Sequence, residues 1–252
     1  MSNSSCLTYV RRAPLAALAL LSFPLVAQNQ PAPQILVLTI TTIKPDMRQQ
    51  YEAFQKEVTA AYKKAGVANR YVWQTVMGDL TEYFSSYPIQ DFSAMDGESV
   101  FVKALGQQKA DDLLRRGATM WTSIRRGVLF ERPDLSVYKE GTPQILPLAL
   151  IFQTTVVPGR ESDYEHWLGH ESIPANKQGG LKQLWSYQAL FNGTSEYVSL
   201  YPMEKMATLN AGQPSWKMEG GRAASDKMEA RIHGLVADTK MSIAQYRADL
   251  SY

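Results

Sequence analysis

The sequence predicts an α+β protein in which two copies of one strand-rich module are fused in one chain and pack sheet to sheet. Three short motifs that each occur twice carry this prediction. They are Pro-Gln-Ile-Leu at 33–36 and 143–146, Glu-Tyr-x-Ser-x-Tyr-Pro at 82–88 and 196–202, and Asp-Leu-Ser at 134–136 and 249–251. Their offsets stay between 110 and 115 residues (143 − 33, 196 − 82 and 249 − 134). A nearly constant offset from the start of the module to its end indicates an internal repeat.

The first copy begins with a strand and a helix. Residues 34–43 are rich in Ile, Leu, Val and Thr without polar alternation, which is typical of a strand covered on both faces. Asp46 then caps a predicted helix, with Gln49 three residues on. Apolar residues recur at every third or fourth position until Gly66 ends the helix, so one face of it is expected to pack on the sheet.

A hairpin, a second helix and a last strand complete the copy. Strands are predicted at 70–77 and 81–87, joined by the turn Gly78-Asp79. A second helix is predicted over 107–125, because apolar residues recur at helical spacing along one side of it. An extended segment then leads to the Asp-Leu-Ser motif. Both copies therefore have the order strand, helix, strand, strand, helix, strand.

The composition excludes several classes of protein. The chain of 252 residues is 45% hydrophobic and 20% charged, which supports a packed core and excludes a disordered or fibrous protein. Arg11 and Arg12 account for the net charge of +2, and the chain beyond them is neutral. A neutral chain predicts neither a nucleic acid partner nor attraction to an anionic membrane.

The first 27 residues are typical of a secretory signal peptide. Two arginines precede a short apolar run that ends at Ala27, and the polar, Pro-rich stretch 28–33 follows. The run is too short to span a bilayer, which needs about 20 apolar residues. An N-terminal anchor that is never cleaved is the alternative. Because Cys6, the single cysteine, lies in this segment, the mature chain is expected to hold no disulfide and no thiolate nucleophile.

These features set the expected order of domains and the expected location. We predict a signal peptide at 1–27, a linker at 28–33, a first repeat at 34–139 and a second repeat at 140–252. The protein is expected to be exported to the periplasm or the extracellular space, with no membrane span after cleavage of the signal peptide.

One copy alone would leave an apolar sheet face in water. Alternate positions of the second strand are apolar or aromatic in both copies, at Tyr71, Trp73, Thr75 and Met77 and at Trp185, Tyr187, Ala189 and Phe191. Pairing the two copies sheet to sheet buries both faces. Each module resembles the ferredoxin-like βαββαβ unit. The fused pair resembles the dimeric α+β barrel superfamily over residues 34–252, and within it NIPSNAP-type and antibiotic-biosynthesis-monooxygenase-type proteins.

The resemblance implies a closed barrel with helices outside, formed by a monomer with an internal pseudo-dimer that can associate into a further homodimer. It also implies a pocket between sheet and helices for a small hydrophobic or aromatic ligand. The candidate ligand-binding residues are Trp73, Gln74, Tyr83 and Tyr87 and their counterparts in the second copy, Tyr187, Gln188, Tyr197 and Tyr201. The alternative is that the tyrosines pack in the core and the glutamines bond to an adjoining helix.

Two histidines form the candidate metal site. His166 and His170 lie four residues apart on the first helix of the second copy, a spacing that places both imidazoles on one face. Such a pair ligates a divalent metal when a third ligand approaches, and His233 is the remaining imidazole of the chain. The resemblance also makes the pair a candidate for axial ligation of haem. A solvated helix face without metal is the alternative, and no other cofactor is predicted.

Three hypotheses about function follow. In the first, the protein binds a small hydrophobic or aromatic molecule and acts on it as a monooxygenase without a cofactor. In the second, the helix histidines bind haem or a metal. In the third, the chain is a non-catalytic interaction module of the cell envelope, which the lack of a recognisable set of acid, base and nucleophile favours. No catalytic residue is assigned.

Overall fold

The protein was analysed as a computed structural model, which describes residues 33–139, 145–191 and 195–252. They belong to one compact unit, Pro31–Tyr252. The predicted signal peptide with Cys6, the linker up to residue 32 and the first residues of the second repeat lie outside the described residues. Within the described residues, no helix combines the length and the apolar character that crossing a bilayer requires.

The first half of the chain forms four strands and three helices. The strands are β1 (Ile35–Ile43), β2 (Tyr71–Met77), β3 (Glu82–Ile89) and β4 (Trp121–Glu131), and the helices are α1 (Arg48–Lys64), α2 (Val100–Leu105) and α3 (Gln107–Ala118). The predicted helix over 107–125 is therefore wrong at its end, because Trp121 and Ile124 belong to β4. Ile124 lies opposite Thr41 of β1, and this pairing outweighs the helical spacing of the apolar residues.

The second half also forms four strands and three helices. The strands are β5 (Leu148–Val156), β6 (Trp185–Leu190), β7 (Ser195–Met203) and β8 (Val236–Tyr246), and the helices are α4 (Glu161–Trp167), α5 (Ile173–Gln178) and α6 (Gly221–Glu229). A π-helical turn, Leu168–Ser172, connects α4 to α5. Such turns interrupt the regular spacing of side chains along a helix and are frequent at functional sites.

The eight strands close into an antiparallel barrel in the order β1-β3-β2-β8-β5-β7-β6-β4. The first half contributes the neighbouring strands β4-β1-β3-β2, and the second half contributes β8-β5-β7-β6. The halves meet at two places, which we call the β2–β8 junction and the β4–β6 junction. At the β4–β6 junction the pairing covers Val128–Glu131 and Tyr187–Leu190. The part of β4 from 121 to 127 therefore has β1 as its one neighbouring strand within the described residues.

The inward face of the barrel is apolar over most of its length. Its buried residues form a single cluster from all eight strands, consisting of Leu36, Ile40, Trp73, Phe84, Leu129, Ala149, Ile151, Ala189, Val198 and Ala244. Tyr187 and Tyr246 pack against this cluster. The alternate apolar positions predicted on the second strand of each copy thus include residues that face the barrel interior, since side chains alternate along a strand.

The outward face packs against helices through two further clusters. Tyr51, Phe54 and Tyr62 of α1 pack on the first half, and Tyr164 and Trp167 of α4 pack on the second. Each cluster also receives a leucine from the segment that follows the last strand of the other half. Leu250, after β8, is fully buried in the cluster of the first half, and Leu135, after β4, is 3% exposed in the cluster of the second. The two halves therefore contact each other on both the inner and the outer face of the barrel wall.

Candidate functional site

The predicted ligand-binding residues lie on two different faces of the barrel wall. Trp73 and Tyr187 point into the barrel, whereas Tyr83 and Tyr197 pack in the outer clusters beneath the helices. Gln74, next to Trp73 on β2, is on the outer side because successive side chains of a strand alternate. The structure therefore does not bring all eight residues together in one pocket.

The outer residues of the second half belong to an ion-pair cluster centred on Arg132, which follows β4 of the first half. The guanidinium of Arg132 forms a bidentate pair with Glu165 and a second bidentate pair with Asp134, at 2.9 and 2.7 Å. The Tyr197 hydroxyl donates to Glu165 at 2.5 Å, and the Gln188 amide donates to the Tyr197 oxygen at 3.3 Å. These contacts span the border between the two halves.

The first half carries the same arrangement around Arg247, which follows β8 of the second half. Arg247 donates to both oxygens of Glu52 at 2.7 and 2.9 Å and to both oxygens of Asp249 at 2.8 Å. It also donates to the Gln74 amide oxygen at 2.7 Å, and the Tyr83 hydroxyl donates to Glu52 at 2.8 Å. We call the two sets the crossed clusters, because each arginine comes from the half opposite to its glutamate.

The carboxyl and phenol groups of the crossed clusters keep fixed protonation states at neutral pH. Hydrogen bonds from Arg132 lower the pKa of the Glu165 carboxyl, and those from Arg247 lower the pKa of Glu52. Burial, and then the hydrogen bond to Glu165, raise the pKa of the Tyr197 phenol. The carboxylates are therefore ionised and the phenols are permanent donors. This arrangement stabilises the contact between the halves and leaves no free acid or base for a reaction.

These contacts correspond to the alternative in which the tyrosines pack in the core, with one change: both glutamines bond to an arginine of the opposite half. The predicted site residues did not include Arg132, Arg247, Glu52 and Glu165. The signal was present, since the arginines recur at the offset of the Asp-Leu-Ser motif and the glutamates at nearly the same offset (247 − 132 and 165 − 52).

Tyr87 and Tyr201 are half-buried and make ring contacts with aromatic neighbours. The Tyr87 ring lies 4.9 Å from that of Tyr62 in α1, and burial raises its pKa to about 12. The Tyr201 ring lies 5.5 Å from that of Phe152 in β5. Both residues therefore serve the packing of the outer face.

The inward face of the barrel becomes polar beyond the apolar cluster. We call this region the polar end, and it contains two ion pairs that also join the halves. Arg125 of β4 lies 3.2 Å from Glu196 of β7, and Lys240 of β8 lies 2.6 Å from Glu82 of β3. Arg125 donates to the Gln153 amide oxygen of β5 as well, at 3.3 Å. Opposite charges are thus placed where the interior of the barrel meets solvent.

A small cavity lies where the apolar interior and the polar end meet, beside the β4–β6 junction. Its volume is about 10 Å³, which is about the room that one water molecule needs. It is lined by Leu38, Ile40, Gly127, Leu129, Ala189 and Val198 on the apolar side and by Arg125, Gln153 and Glu196 on the polar side. Gly127 of β4 and Ala189 of β6, which lies opposite Leu129, have little or no side chain and leave this space open.

Several polar atoms at the polar end are buried without a hydrogen-bond partner within the described part of the chain. They are Thr75 Oγ1, Glu82 Oε2, Ser242 Oγ and Gln153 Nε2. Thr75 is 1% exposed, Glu82 4% and Ser242 3%. Buried polar groups in folded proteins are nearly always hydrogen-bonded to protein or to ordered water, so these atoms mark a place where a water molecule or the polar group of a ligand can bind.

The predicted histidine pair is exposed on the outside of the protein. His166 belongs to α4 and His170 to the π-helical turn, and their ring centroids lie 4.6 Å apart. Within the described residues, no group of three His, Cys, Asp or Glu side chains is placed to hold a metal ion. An apolar outer cluster packs between α4 and the sheet. Metal binding and axial ligation of haem by the pair both stay predictions.

Comparisons with known proteins identify the fold. No family model matches the sequence, and no curated protein matches it. Solved structures do match. An anthrone oxidase-like protein has a TM-score of 0.60 at 13% identity, over 85% of this chain and 91% of that one. A proposed monooxygenase from Fusobacterium nucleatum has a TM-score of 0.56 at 12% identity, over 86% and 94%.

A proposed monooxygenase from Lactobacillus acidophilus is similar in the same way, with a TM-score of 0.53 at 11% identity over 85% of this chain and 94% of that one. At such identities the likeness shows the fold. The chain is a mixed α/β protein with helices around an eight-stranded antiparallel barrel.

Proposed function

We propose that the protein binds a small aromatic molecule inside the barrel and oxidises it as a monooxygenase that uses no cofactor. The observation that carries this proposal is the cavity between the apolar interior and the polar end. A ligand site in a protein combines apolar and aromatic walls with a few polar groups that orient the ligand. The barrel interior has both, with Trp73, Phe84 and Tyr187 on the apolar side.

The β4–β6 junction supplies a route for the ligand. The cavity as it stands accommodates about one water molecule, so an aromatic ring must displace side chains or move the strands apart. Within the described residues, the part of β4 from 121 to 127 does not pair with β6. Gly127 and Ala189 are small. Among the described residues, the ladder between β4 and β6 is limited to Val128–Glu131 and Tyr187–Leu190, so separating the two strands breaks a short pairing. A widening of this junction would therefore admit a ring next to Arg125 and Gln153.

The names of two structural neighbours support the reaction class. They are an anthrone oxidase-like protein and a proposed monooxygenase. In such a reaction one oxygen atom of dioxygen enters the substrate. The other oxygen leaves as water with two hydrogens from the substrate, so that no external reductant is needed. Ion pairs and amides at the polar end would orient the polar group of the substrate while its rings lie against the apolar interior.

We further propose that the two halves are ferredoxin-like repeats joined as an internal pseudo-dimer and that the chain is exported. The strand orders β4-β1-β3-β2 and β8-β5-β7-β6 are equivalent, and the crossed clusters recur in both halves. Export is supported by the composition of residues 1–27. The N-terminal sequence of the purified protein would begin near residue 28 if the signal peptide is removed, and at Met1 or Ser2 if it is not.

The ligand proposal is tested by filling the cavity. Ala189→Leu places a larger side chain in the cavity, so we expect it to abolish binding of 2-naphthol measured by the fluorescence of the ligand. Ala61→Leu is the matched control, because Ala61 is 2% exposed in the outer cluster of the first half. Overpacking costs either variant about 1–3 kcal/mol of stability, but the control should still bind.

Equal binding by the two variants would contradict a site in the barrel interior. Mass spectrometry of molecules that co-purify with the protein provides an independent measurement, and a bound aromatic compound is expected. For the reaction, product formed under isotopically labelled dioxygen should carry one labelled oxygen atom. Binding without any such incorporation would leave the protein a binding protein and remove the monooxygenase part of the proposal.

A further inference from the structure

We propose that Glu82, Thr75 and Ser242 form a subsite for the uncharged hydroxyl group of an aromatic alcohol, such as a phenol. This inference rests on the proposed function and specifies the class of ligand. We call these three residues the Glu82 subsite. Each is more than nine-tenths buried, and each has a side-chain oxygen without a hydrogen-bond partner within the described residues.

The three residues come together because three neighbouring strands carry them at the β2–β8 junction. Thr75 lies opposite Ala244 of β8, and Ser242 is two residues before Ala244, on the same face. A Cβ at Gly78 would lie 3.2 Å from Ser242 Cβ and 3.5 Å from Thr75 Cγ2. The Gly78 backbone therefore passes close to both residues, and a larger residue at this position would press on Ser242.

Glu82 is placed next to this pair by the turn that joins β2 to β3. Gln74 of β2 lies opposite Tyr83 of β3, so continuing the antiparallel register by one residue places Thr75 opposite Glu82. One oxygen of Glu82 accepts a hydrogen bond from Lys240 at 2.6 Å, and the other has no partner. The subsite thus offers one carboxylate oxygen and two hydroxyl groups.

The charges at the subsite select the kind of ligand. An anion would be repelled by the Glu82 carboxylate. A cation would meet the Lys240 ammonium, which already neutralises that carboxylate. A neutral hydroxyl group is repelled by neither Glu82 nor Lys240. It donates one hydrogen bond to Glu82 and accepts another from Thr75 or Ser242. Hydrogen bonds to a charged acceptor are also stronger than those between neutral groups.

The neighbouring inward positions favour an aromatic body for the ligand. Trp73 precedes Thr75 by two residues on β2, and Phe84 follows Glu82 by two residues on β3. Side chains two residues apart on a strand lie on the same face, and both rings belong to the inner apolar cluster. A hydroxyl group in the subsite therefore places the rest of the molecule against these rings.

The counterpart positions around the β4–β6 junction repeat the carboxylate of the subsite, as Glu196, but not its hydroxyl groups. Thr75 corresponds to Ala189 and Ser242 to Gly127 at the repeat offsets (189 − 75 and 242 − 127). These small residues line the cavity instead. The β2–β8 junction therefore provides hydroxyl groups and the β4–β6 junction provides space, so the two sides of the barrel interior differ and can orient a ligand.

The test compares two ligands that differ at the hydroxyl group, 2-naphthol and 2-methoxynaphthalene. We expect the wild-type protein to bind 2-naphthol more tightly by about tenfold or more, the effect of one hydrogen bond to a charged group. Glu82→Gln should remove most of this preference. Glu57→Gln, a change on an exposed carboxylate of α1 paired with Arg116, should leave the preference as it is.

The outcomes separate the inference from the proposed function. If neither compound binds, the proposed function fails and the inference fails with it. If both bind with equal affinity, the protein binds aromatic molecules but the subsite does not recognise a hydroxyl group, and water alone accounts for the unpaired atoms. Should Glu82→Gln not fold, Ser242→Ala and Thr75→Val decide the question. Each is expected to lower the preference, and an unchanged preference in both overturns the inference.

Discussion

Replacing Arg247 with alanine is expected to destabilise the protein by about 3 kcal/mol, as the loss of one partner from a largely buried ion pair does. The Arg247 side chain is 15% exposed and that of Glu52 is 25% exposed. Without the guanidinium, the carboxylate of Glu52 and the amide oxygen of Gln74 lose the hydrogen bonds that Arg247 donates. Urea unfolding of the two proteins at pH 7 measures the difference in the free energy of unfolding.

The control for this experiment is Arg115→Ala. Arg115 pairs with Asp112 on the surface of α3, where the side chains are 75% and 54% exposed, and such pairs contribute between zero and about 1 kcal/mol. Similar effects of the two variants would show that the crossed clusters do not hold the halves together. Arg247→Lys is expected to lie between the wild type and Arg247→Ala, because it keeps the charge and loses the bidentate geometry.

The effect of Arg247→Ala should also depend on pH. Hydrogen bonds from Arg247 lower the pKa of Glu52 in the folded protein. A carboxyl group with a lowered pKa stabilises the folded state at pH values above its ordinary pKa, about 4.3. This stabilisation is lost as the pH falls through the lower folded value. The difference between wild type and variant should therefore shrink between pH 5 and pH 3, and a constant difference would contradict the ion-pair explanation.

Leu250→Ala is the second change with a large expected effect, a loss of about 2–5 kcal/mol. Leu250 is fully buried in the outer cluster of the first half, although it follows the last strand of the second half. Around it, the Arg70 guanidinium donates to the Leu250 carbonyl at 3.0 Å, and the Arg70 and Tyr252 backbones exchange two hydrogen bonds of 3.1 Å. Removing the side chain leaves a cavity that this rigid surrounding cannot close.

Thermal and urea unfolding measure this loss, and two matched variants test its cause. Leu135→Ala removes the equivalent leucine after β4, which is 3% exposed, and should cost a similar amount. Leu114→Ala on α3, where the side chain is 43% exposed, should change the stability by less than about 0.5 kcal/mol. If Leu250→Ala behaves like Leu114→Ala, the last residues of the chain do not hold the first half in place.

The alternation of side chains along a strand decides which of the predicted site residues lie on the same side of the barrel wall. Trp73 and Gln74 are neighbours in the sequence and were predicted for one pocket, yet they lie on opposite sides of the barrel wall. The tyrosine motif at 82–88 stands out in the sequence because it repeats. It begins with Glu82, which lies on the opposite face of β3 from Tyr83. The motif recurs in the second half, where its glutamate is Glu196. The hydroxyl groups of Thr75 and Ser242 do not recur, since Ala189 and Gly127 stand at the equivalent positions, so repetition does not mark them.

The sequence by itself determined the order of the strands and the apolar positions of the strand that faces inward. These features are local or periodic, so they can be read along the chain. Tertiary structure alone decided that β4 begins at Trp121, that each arginine of the crossed clusters pairs with the opposite half, and that Thr75, Glu82 and Ser242 meet. Those contacts join residues up to 195 positions apart, and closure of the barrel brings them together, which no pattern within one segment encodes.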